Sequence, residues 1–255
     1  MIKIGVHGAS GKMGREIIAC LKDVQNATLS AAYALDEIDF ALPSGAIFTN
    51  KFEELFVNSD VVIDFTIKQG AINLINYART DPKPLVIGTT GLGQEGMALV
   101  AQAANAMPVL QATNMSLGVA VLNKLAAIAA KALREFDVEI VEQHHRHKKD
   151  APSGTALTLA ERIADARGLN LSEAMTCGRE GLIGARPKDE IAVFAMRGGD
   201  VVGRHTAGFY NDGEFIELSH TATSRATFAK GAIKAAMWLV GQPSGLYKIE
   251  DCLGL

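Results

Sequence analysis

The chain has 255 residues, 48% of them hydrophobic and 21% charged, with a formal net charge of −3. That near-neutral balance supplies no electrostatic footprint for nucleic acid or an anionic membrane surface, and no apolar run approaches the roughly 20 residues that span a bilayer. The three cysteines, Cys20, Cys177 and Cys252, are far apart and odd in number, which fits neither a disulfide framework nor a CxxC metal pair.

A first strand is expected from residue 2, which leaves no room for a secretory signal, so the expected compartment is the cytoplasm. Residues 2–7 read as a buried strand, followed by a glycine-rich turn. A helix then carries Met13, Ile17, Leu21 and Val24 on one face at steps of four, four and three. Strands follow at 28–34, 61–65, 85–88 and 109–112, with helices at 71–79 and 94–106. This alternation predicts parallel βαβ units with right-handed crossovers, a Rossmann-like doubly wound sheet.

The first turn, Gly8, Ala9, Ser10, Gly11, Lys12, Met13 and Gly14, has GxxGxxG spacing. Glycines there let backbone amides approach a pyrophosphate, the helix N-terminus adds partial positive charge, and Lys12 offers a point charge. The spacing also suits a purely structural turn, but its place between a strand and an amphipathic helix favours a dinucleotide. The second strand ends Tyr33-Ala34-Leu35-Asp36-Glu37, so an acid for the adenosine ribose arrives late. No arginine adjoins it for a 2′-phosphate, and NADH and NADPH both stay open. Two later strand-end loops, Gly88-Thr89-Thr90-Gly91 and Ala112-Thr113-Asn114-Met115, suit a nicotinamide ring and its carboxamide, or are plain turns.

After Leu117 the pattern changes to a second, α+β domain with a mostly open sheet. A helix over 117–136 is expected to bury Leu117, Val121, Leu125, Ile128 and Leu133. A strand over 138–143, a polar loop and a helix over 155–167 follow. Strands at 191–197, 201–209 and 214–222 are separated by Gly198-Gly199-Asp200 and Asn211-Asp212-Gly213, turn clusters that predict antiparallel neighbours. A final helix over 227–240 carries Trp238 and is expected to return to the first domain. The division expected is 1–115 with 226–255 for the dinucleotide and 116–225 for substrate and oligomerisation. An apolar outer sheet face would be covered by another subunit.

The chemistry concentrates between Glu142 and Thr155, where His144, His145 and His147 fall within four positions beside Arg146, Lys148 and Lys149. Six consecutive basic or imidazole residues repel one another unless an anion or acid chemistry uses them. Pro152 suits a first helical turn, where Ser153, Gly154 and Thr155 present amides to a substrate carboxylate. The adjacent positive charge would neutralise a second carboxylate, which makes a small dicarboxylate site. His144 and Lys148, four apart, can supply general acids, since histidine titrates near neutrality and crowded cations ease proton release. A zinc site lacks a completing cysteine or carboxylate, and a nucleic-acid face lacks interleaved aromatics. His7, His205 and His220 lie in strand patterns and read as packed or surface residues.

These segments resemble the 4-hydroxy-tetrahydrodipicolinate reductase (dihydrodipicolinate reductase) family of the diaminopimelate and lysine pathway. The likeness covers nearly the whole chain: the Gly8–Gly14 turn, Asp64-Phe65-Thr66, Gly88–Gly91, Asn114–Gly118, Ser224-Arg225 and, most specifically, His144–Ala156. It implies an NADH- or NADPH-dependent reduction of a cyclic dicarboxylate, with loss of water, by a homotetramer joined through the second domain's sheet. His144 then looks like the proton donor and Lys148 a second acid or charge partner. His145 would contact substrate, and Gly154 and Thr155 would hold a carboxylate. The cofactor would lie along Gly8, Ala9, Ser10, Gly11, Lys12 and Met13, along Gly88, Thr89 and Thr90, and along Ala112, Thr113, Asn114 and Met115. One departure is that Ala34-Leu35 stand where many relatives carry Glu-Arg.

Two other classes compete. A thiol-dependent aldehyde dehydrogenase needs a reactive cysteine with a base, and Cys177 in Cys-Gly-Arg-Glu does not resemble one. A regulator that binds NAD(H) without turnover would leave the His144–Lys148 cluster without a role.

Overall fold

The computed structural model describes residues 1–255. In chain order the elements are β1 (Ile2–His7), α1 (Lys12–Leu21), β2 (Ala27–Tyr33), β3 (Ile47–Thr49), α2 (Phe52–Val57), β4 (Val61–Asp64) and α3 (Lys68–Ala78). Then come β5 (Leu85–Ile87), α4 (Gly93–Ala103), β6 (Pro108–Gln111), α5 (Leu117–Ala132), β7 (Asp137–His144), α6 (Gly154–Arg167) and α7 (Leu171–Ala174). The last are β8 (Met175–Thr176), β9 (Ile191–Arg197), β10 (Gly203–Asn211), β11 (Glu214–Ala222), α8 (Ala226–Leu239) and β12 (Gly245–Tyr247).

The chain divides into two units, Met1–Leu117 with Arg225–Leu255, and Gly118–Ser224. In the first, seven parallel strands run in the order β12-β6-β5-β4-β1-β2-β3. Helices cover both faces, so the central strands read as unbroken apolar runs; every residue of β4 is buried. The strand order reverses between β1 and β4, the switch point at which doubly wound sheets bind ligands. Three elements, β3, α2 and β12, are only three, six and three residues long, too short to show a period. Helix α1 ends at Leu21, so Val24 falls outside it.

The second unit is a five-stranded sheet, β11-β10-β7-β9-β8, whose core joins Leu122, Ala126, Val138, Ile140, Leu159 and Phe209. Two expectations are corrected here. Strands β9 and β10 are not neighbours: β7 lies between them, parallel to β9 and antiparallel to β10. Helix α5 does not bury Val121, Leu125 and Ile128, which are exposed; its buried residues include Val119, Ala120, Leu122, Ala126 and Ala130. Small alanines let the helix lie close to its neighbours, and the larger side chains are left outward. The chain beyond α5 is anchored by buried Arg167, which donates to the carbonyls of Ala130, Leu133 and Phe136 at 3.3, 2.8 and 2.7 Å.

Candidate active site

At the carboxyl end of β1 the chain reverses through Gly8, at φ +88°. The Gly8 and Ala9 amides both donate to the Tyr33 carbonyl, at 3.0 and 2.9 Å, and the Gly11 amide donates to Gly8. Those three N–H groups hold the turn itself. The amides left at the head of α1 belong to Ser10, Lys12, Met13 and Gly14, so Gly8, Ala9 and Gly11 shape the cradle by backbone path rather than by donating to an anion. Gly14 lets α1 close on the turn, since a Cβ there would fall 2.2 Å from the Gly8 carbonyl oxygen. The cradle therefore fits a pyrophosphate at a helix N-terminus.

Beside it, a buried network ties three strand ends together. The Asp64 carboxylate meets His7 Nδ1 at 2.8 Å and accepts from the Thr66 and Thr89 hydroxyls at 2.7 and 2.6 Å. His7 also packs edge-on against Tyr33. Thr90 and Thr113 are exposed at the ends of β5 and β6, Ala112 is half-buried, and Met115 is buried. Asn114 Oδ1 accepts from the Ser116 amide at 2.8 Å, turning the chain towards α5. Although no arginine adjoins the end of β2 in sequence, the fold supplies one from α1. Arg15 donates to the Ser10 carbonyl, pairs with Asp39 at 2.6 Å and lies over the Phe40 ring.

In the second unit, β7 alternates faces, so Val138, Ile140, Glu142 and His144 all point inward. The strand thus places a carboxylate and an imidazole two residues apart on one buried face, with His144 Nδ1 2.6 Å from Glu142 Oε2. Glu142 is fully buried and has three further donors: both Arg197 Nη atoms at 2.8 Å, and the Ser153 amide at 2.9 Å. Burial pulls the Glu142 carboxyl up, but the bonds from Arg197, His144 and Ser153 outweigh it and hold it below the ordinary carboxylate range. With Nδ1 committed to Glu142, Nε2 is the His144 nitrogen available to a ligand. Gly203 keeps space beside it, since a Cβ there would lie 3.1 Å from Nε2. Burial, joined by Lys148 and Arg197, lowers the His144 pKa against the opposing pull of Glu142.

The loop after β7 is pinned by the β9–β10 connection: the His145 amide donates to Val201 O at 2.7 Å, Arg146 to Gly199 O at 3.2 Å, and Gly198 to His144 O at 3.0 Å. Lys148 Nζ pairs with Asp150 at 2.9 Å, and Arg197 also donates to the Asp150 carbonyl at 2.6 Å. Helix α6 begins at Gly154 with Ser153 as its N-cap, whose Oγ accepts from the Ala156 amide. Pro152 therefore precedes the helix instead of opening it, and the Ser153 amide is spent on Glu142. Of the three amides expected for a substrate carboxylate, those of Gly154 and Thr155 stand at the helix start. His145 is half-buried beside His147, ring to ring at 6.2 Å.

The structure brings His144, Lys148 and the start of α6 into one region and adds four residues to which the sequence reading gave no role. Glu142 was legible, as an acid two positions before a histidine on an alternating strand. Asp150 lies in the same loop, two residues after Lys148, whereas Arg197 and His205 carry no local signal. His205 Nε2 lies 3.0 Å from Ser153 Oγ, its ring packs edge-on to His144 at 5.1 Å, and burial pushes its pKa down to about 4. No group of three or more His, Cys, Asp or Glu side chains is arranged to hold a metal ion.

Two family models match, dihydrodipicolinate reductase, N-terminus, over residues 2–115 and dihydrodipicolinate reductase, C-terminus, over 118–253. The chain is 71% identical to the 4-hydroxy-tetrahydrodipicolinate reductase of Campylobacter curvus and 57% identical to that of Campylobacter jejuni, with 100% of both chains covered in each case. It is also similar to the solved structure of a dipicolinate-bound dihydrodipicolinate reductase from Paenisporosarcina sp. TG-14. There the TM-score is 0.81 at 26% identity, over 98% of this chain and 99% of that one. A DAP dehydrogenase from C. glutamicum, with a TM-score of 0.61 at 13% identity over 98% and 93% of the two chains, shares the fold alone.

Proposed function

The chain belongs to the dihydrodipicolinate reductase family of NAD(P)H-dependent oxidoreductases, and on that premise we propose that it reduces (2S,4S)-4-hydroxy-2,3,4,5-tetrahydrodipicolinate to tetrahydrodipicolinate, with release of water, in the diaminopimelate route to lysine. The observation that carries this reading is a single buried carboxylate, Glu142, bonded both to the imidazole of His144 and to the cap of the helix that opens at Gly154. A proton donor and an anion-binding helix start are thereby built on one support.

Bound NADH or NADPH supplies the hydride. The Ser10, Lys12 and Met13 amides would hold its pyrophosphate, with Gly8, Ala9 and Gly11 forming the turn beneath. Gly88, Thr89, Thr90, Ala112, Thr113, Asn114 and Met115 would flank the nicotinamide. Arg15 offers a cation to a 2′-phosphate in place of Asp39, which supports use of NADPH as well as NADH. The Gly154 and Thr155 amides and the Thr155 hydroxyl would hold one substrate carboxylate against the helix dipole, with His145 and Lys148 towards the second. Once the 4-hydroxyl has left as water with a neighbouring C–H proton, giving a conjugated C=C–C=N, His144 would deliver a proton from Nε2 as hydride adds at the other end of that system. Its lowered pKa in the free protein is reconciled by the substrate: two carboxylates beside the imidazole favour its charged form.

Cytoplasmic location and a homotetramer belong to the same reading. No helix is long and apolar enough to cross a membrane. Met196, Phe215 and Ile216 are exposed on strands of the second sheet, which supports a subunit contact there. The test is NADH and NADPH oxidation with the freshly generated condensation product of aspartate semialdehyde and pyruvate. Substrate-dependent oxidation of either cofactor is expected, and none with both would end the proposal.

A further inference from the structure

Resting on the reading of His144 as proton donor, we propose that Glu142 and Arg197 are positioning residues of the reaction, a clamped carboxylate that fixes the orientation and sets the proton affinity of the His144 imidazole. The two Arg197 Nη atoms reach the two Glu142 oxygens in parallel, at 2.8 Å each, the geometry that best restrains a carboxylate. Arg197 stands opposite His144 in the β7–β9 register, while Glu142 stands two residues back on β7, so the clamp spans adjacent strands. Held this way, Oε2 accepts from His144 Nδ1 and Oε1 from the Ser153 amide, and the carboxylate has no freedom to turn away.

Arg197 also limits what Glu142 does. A buried carboxylate 2.6 Å from an imidazole would by itself hold the proton tightly and make His144 a poor donor. Part of that negative charge is instead neutralised by the guanidinium. Arg197 reaches further to the Asp150 carbonyl, and the Asp150 side chain holds Lys148, so one arginine is joined to both acids of the proposed mechanism. The charged and titratable groups around His144 are Glu142 on its own strand, Lys148 on the following loop, Arg197 on β9 and His205 on β10. Asp150 offsets Lys148, and His205 stays neutral near pH 7.

Glu142 and Arg197 therefore act on His144 in opposite senses, which a merely structural pair would not do. The experiment is an NMR titration of isotope-labelled histidine side chains in the free protein, with the His144 signal identified by its loss in His144→Gln. Glu142→Gln, close in shape, is expected to move the His144 midpoint down by about one pH unit, and Arg197→Met to move it up by a similar amount. Arg197→Lys should shift it in the same direction as Arg197→Met but by less. In turnover, the alkaline limb of kcat/KM should follow the same directions, with the KM for the nicotinamide cofactor unchanged. Shifts in the same direction for Glu142→Gln and Arg197→Met, or none in either, would overturn the proposal. Should Arg197→Met fail to fold, Glu142→Gln and Arg197→Lys decide it by the same criterion. A protein that showed these shifts without turning over the dicarboxylate would refute the proposed function and leave the clamp standing.

Discussion

His144 is pulled two ways. Burial, Lys148 and Arg197 disfavour its proton, while Glu142 favours it, and the balance lies on the side of release. In the proposed site a bound dicarboxylate would add negative charge and reverse that balance, so binding would take up a proton. Pyridine-2,6-dicarboxylate should therefore inhibit competitively, with an affinity that falls as pH rises from the free-state pKa of His144 to its bound-state value. His144→Gln should flatten that dependence and cut kcat by about a hundredfold or more, the usual scale for a general acid. Inhibition constants measured between pH 5.5 and 8.5 check the first point; a flat profile in the unmodified protein would refute it. His144, Lys148, Gly154 and Thr155 were legible because they share one loop and one helix start. Arg197 was not, since 55 residues separate it from Glu142 and only the register of β7 beside β9 brings them together.

At the level of elements, α5 is instructive. Its large apolar residues recur at helical spacing, which led to the face carrying Val121, Leu125 and Ile128, yet close packing favours the alanine-rich face. Spacing reports that a helix has an apolar stripe; which stripe is buried depends on how near the neighbouring element lies. The glycine cluster at 198–200 likewise favours antiparallel neighbours, but it is a crossover past β7, whose insertion is a long-range choice. The chain leaving α5 depends on Arg167, whose guanidinium binds three main-chain carbonyls. Arg167→Met keeps much of the volume and strands those acceptors, so a loss of about 3 kcal/mol is expected, read from denaturant unfolding of the second unit. A change below about 0.5 kcal/mol would mean that water replaces the arginine without penalty.

Across the whole molecule, the alternating βα half was the most readable part, because strands buried on both faces show as uninterrupted apolar runs. Sheet order is set by pairings between distant segments and left no local trace. In the proposed homotetramer, exposed Phe215 and Ile216 on β11 would be covered by other copies, so sedimentation should report about four times the 27.0 kDa chain mass; a monomer at micromolar concentration would contradict the tetramer. Acid should weaken the second unit. His205 is pushed down to about 4 by burial, and His144 and His220 also lie below the ordinary imidazole value. An unfolded chain takes up these protons near pH 6.5, whereas the folded one refuses them. Stability should thus be full above pH 6.5 and fall towards pH 4, with His205 alone accounting for a loss on the order of 3 kcal/mol. Urea unfolding at pH 7.5 and 5.0 measures it, and equal stabilities would contradict the assignment.

The main-chain bonds from residues 198–201 to the loop after β7 have a thermodynamic consequence. Ordering a residue costs about 1–2 kcal/mol, and for His144 to Arg146 that cost is met when the protein folds, not when a ligand arrives. A dicarboxylate thus encounters a backbone already frozen in place, and its association should carry a small entropic penalty and little change in loop mobility.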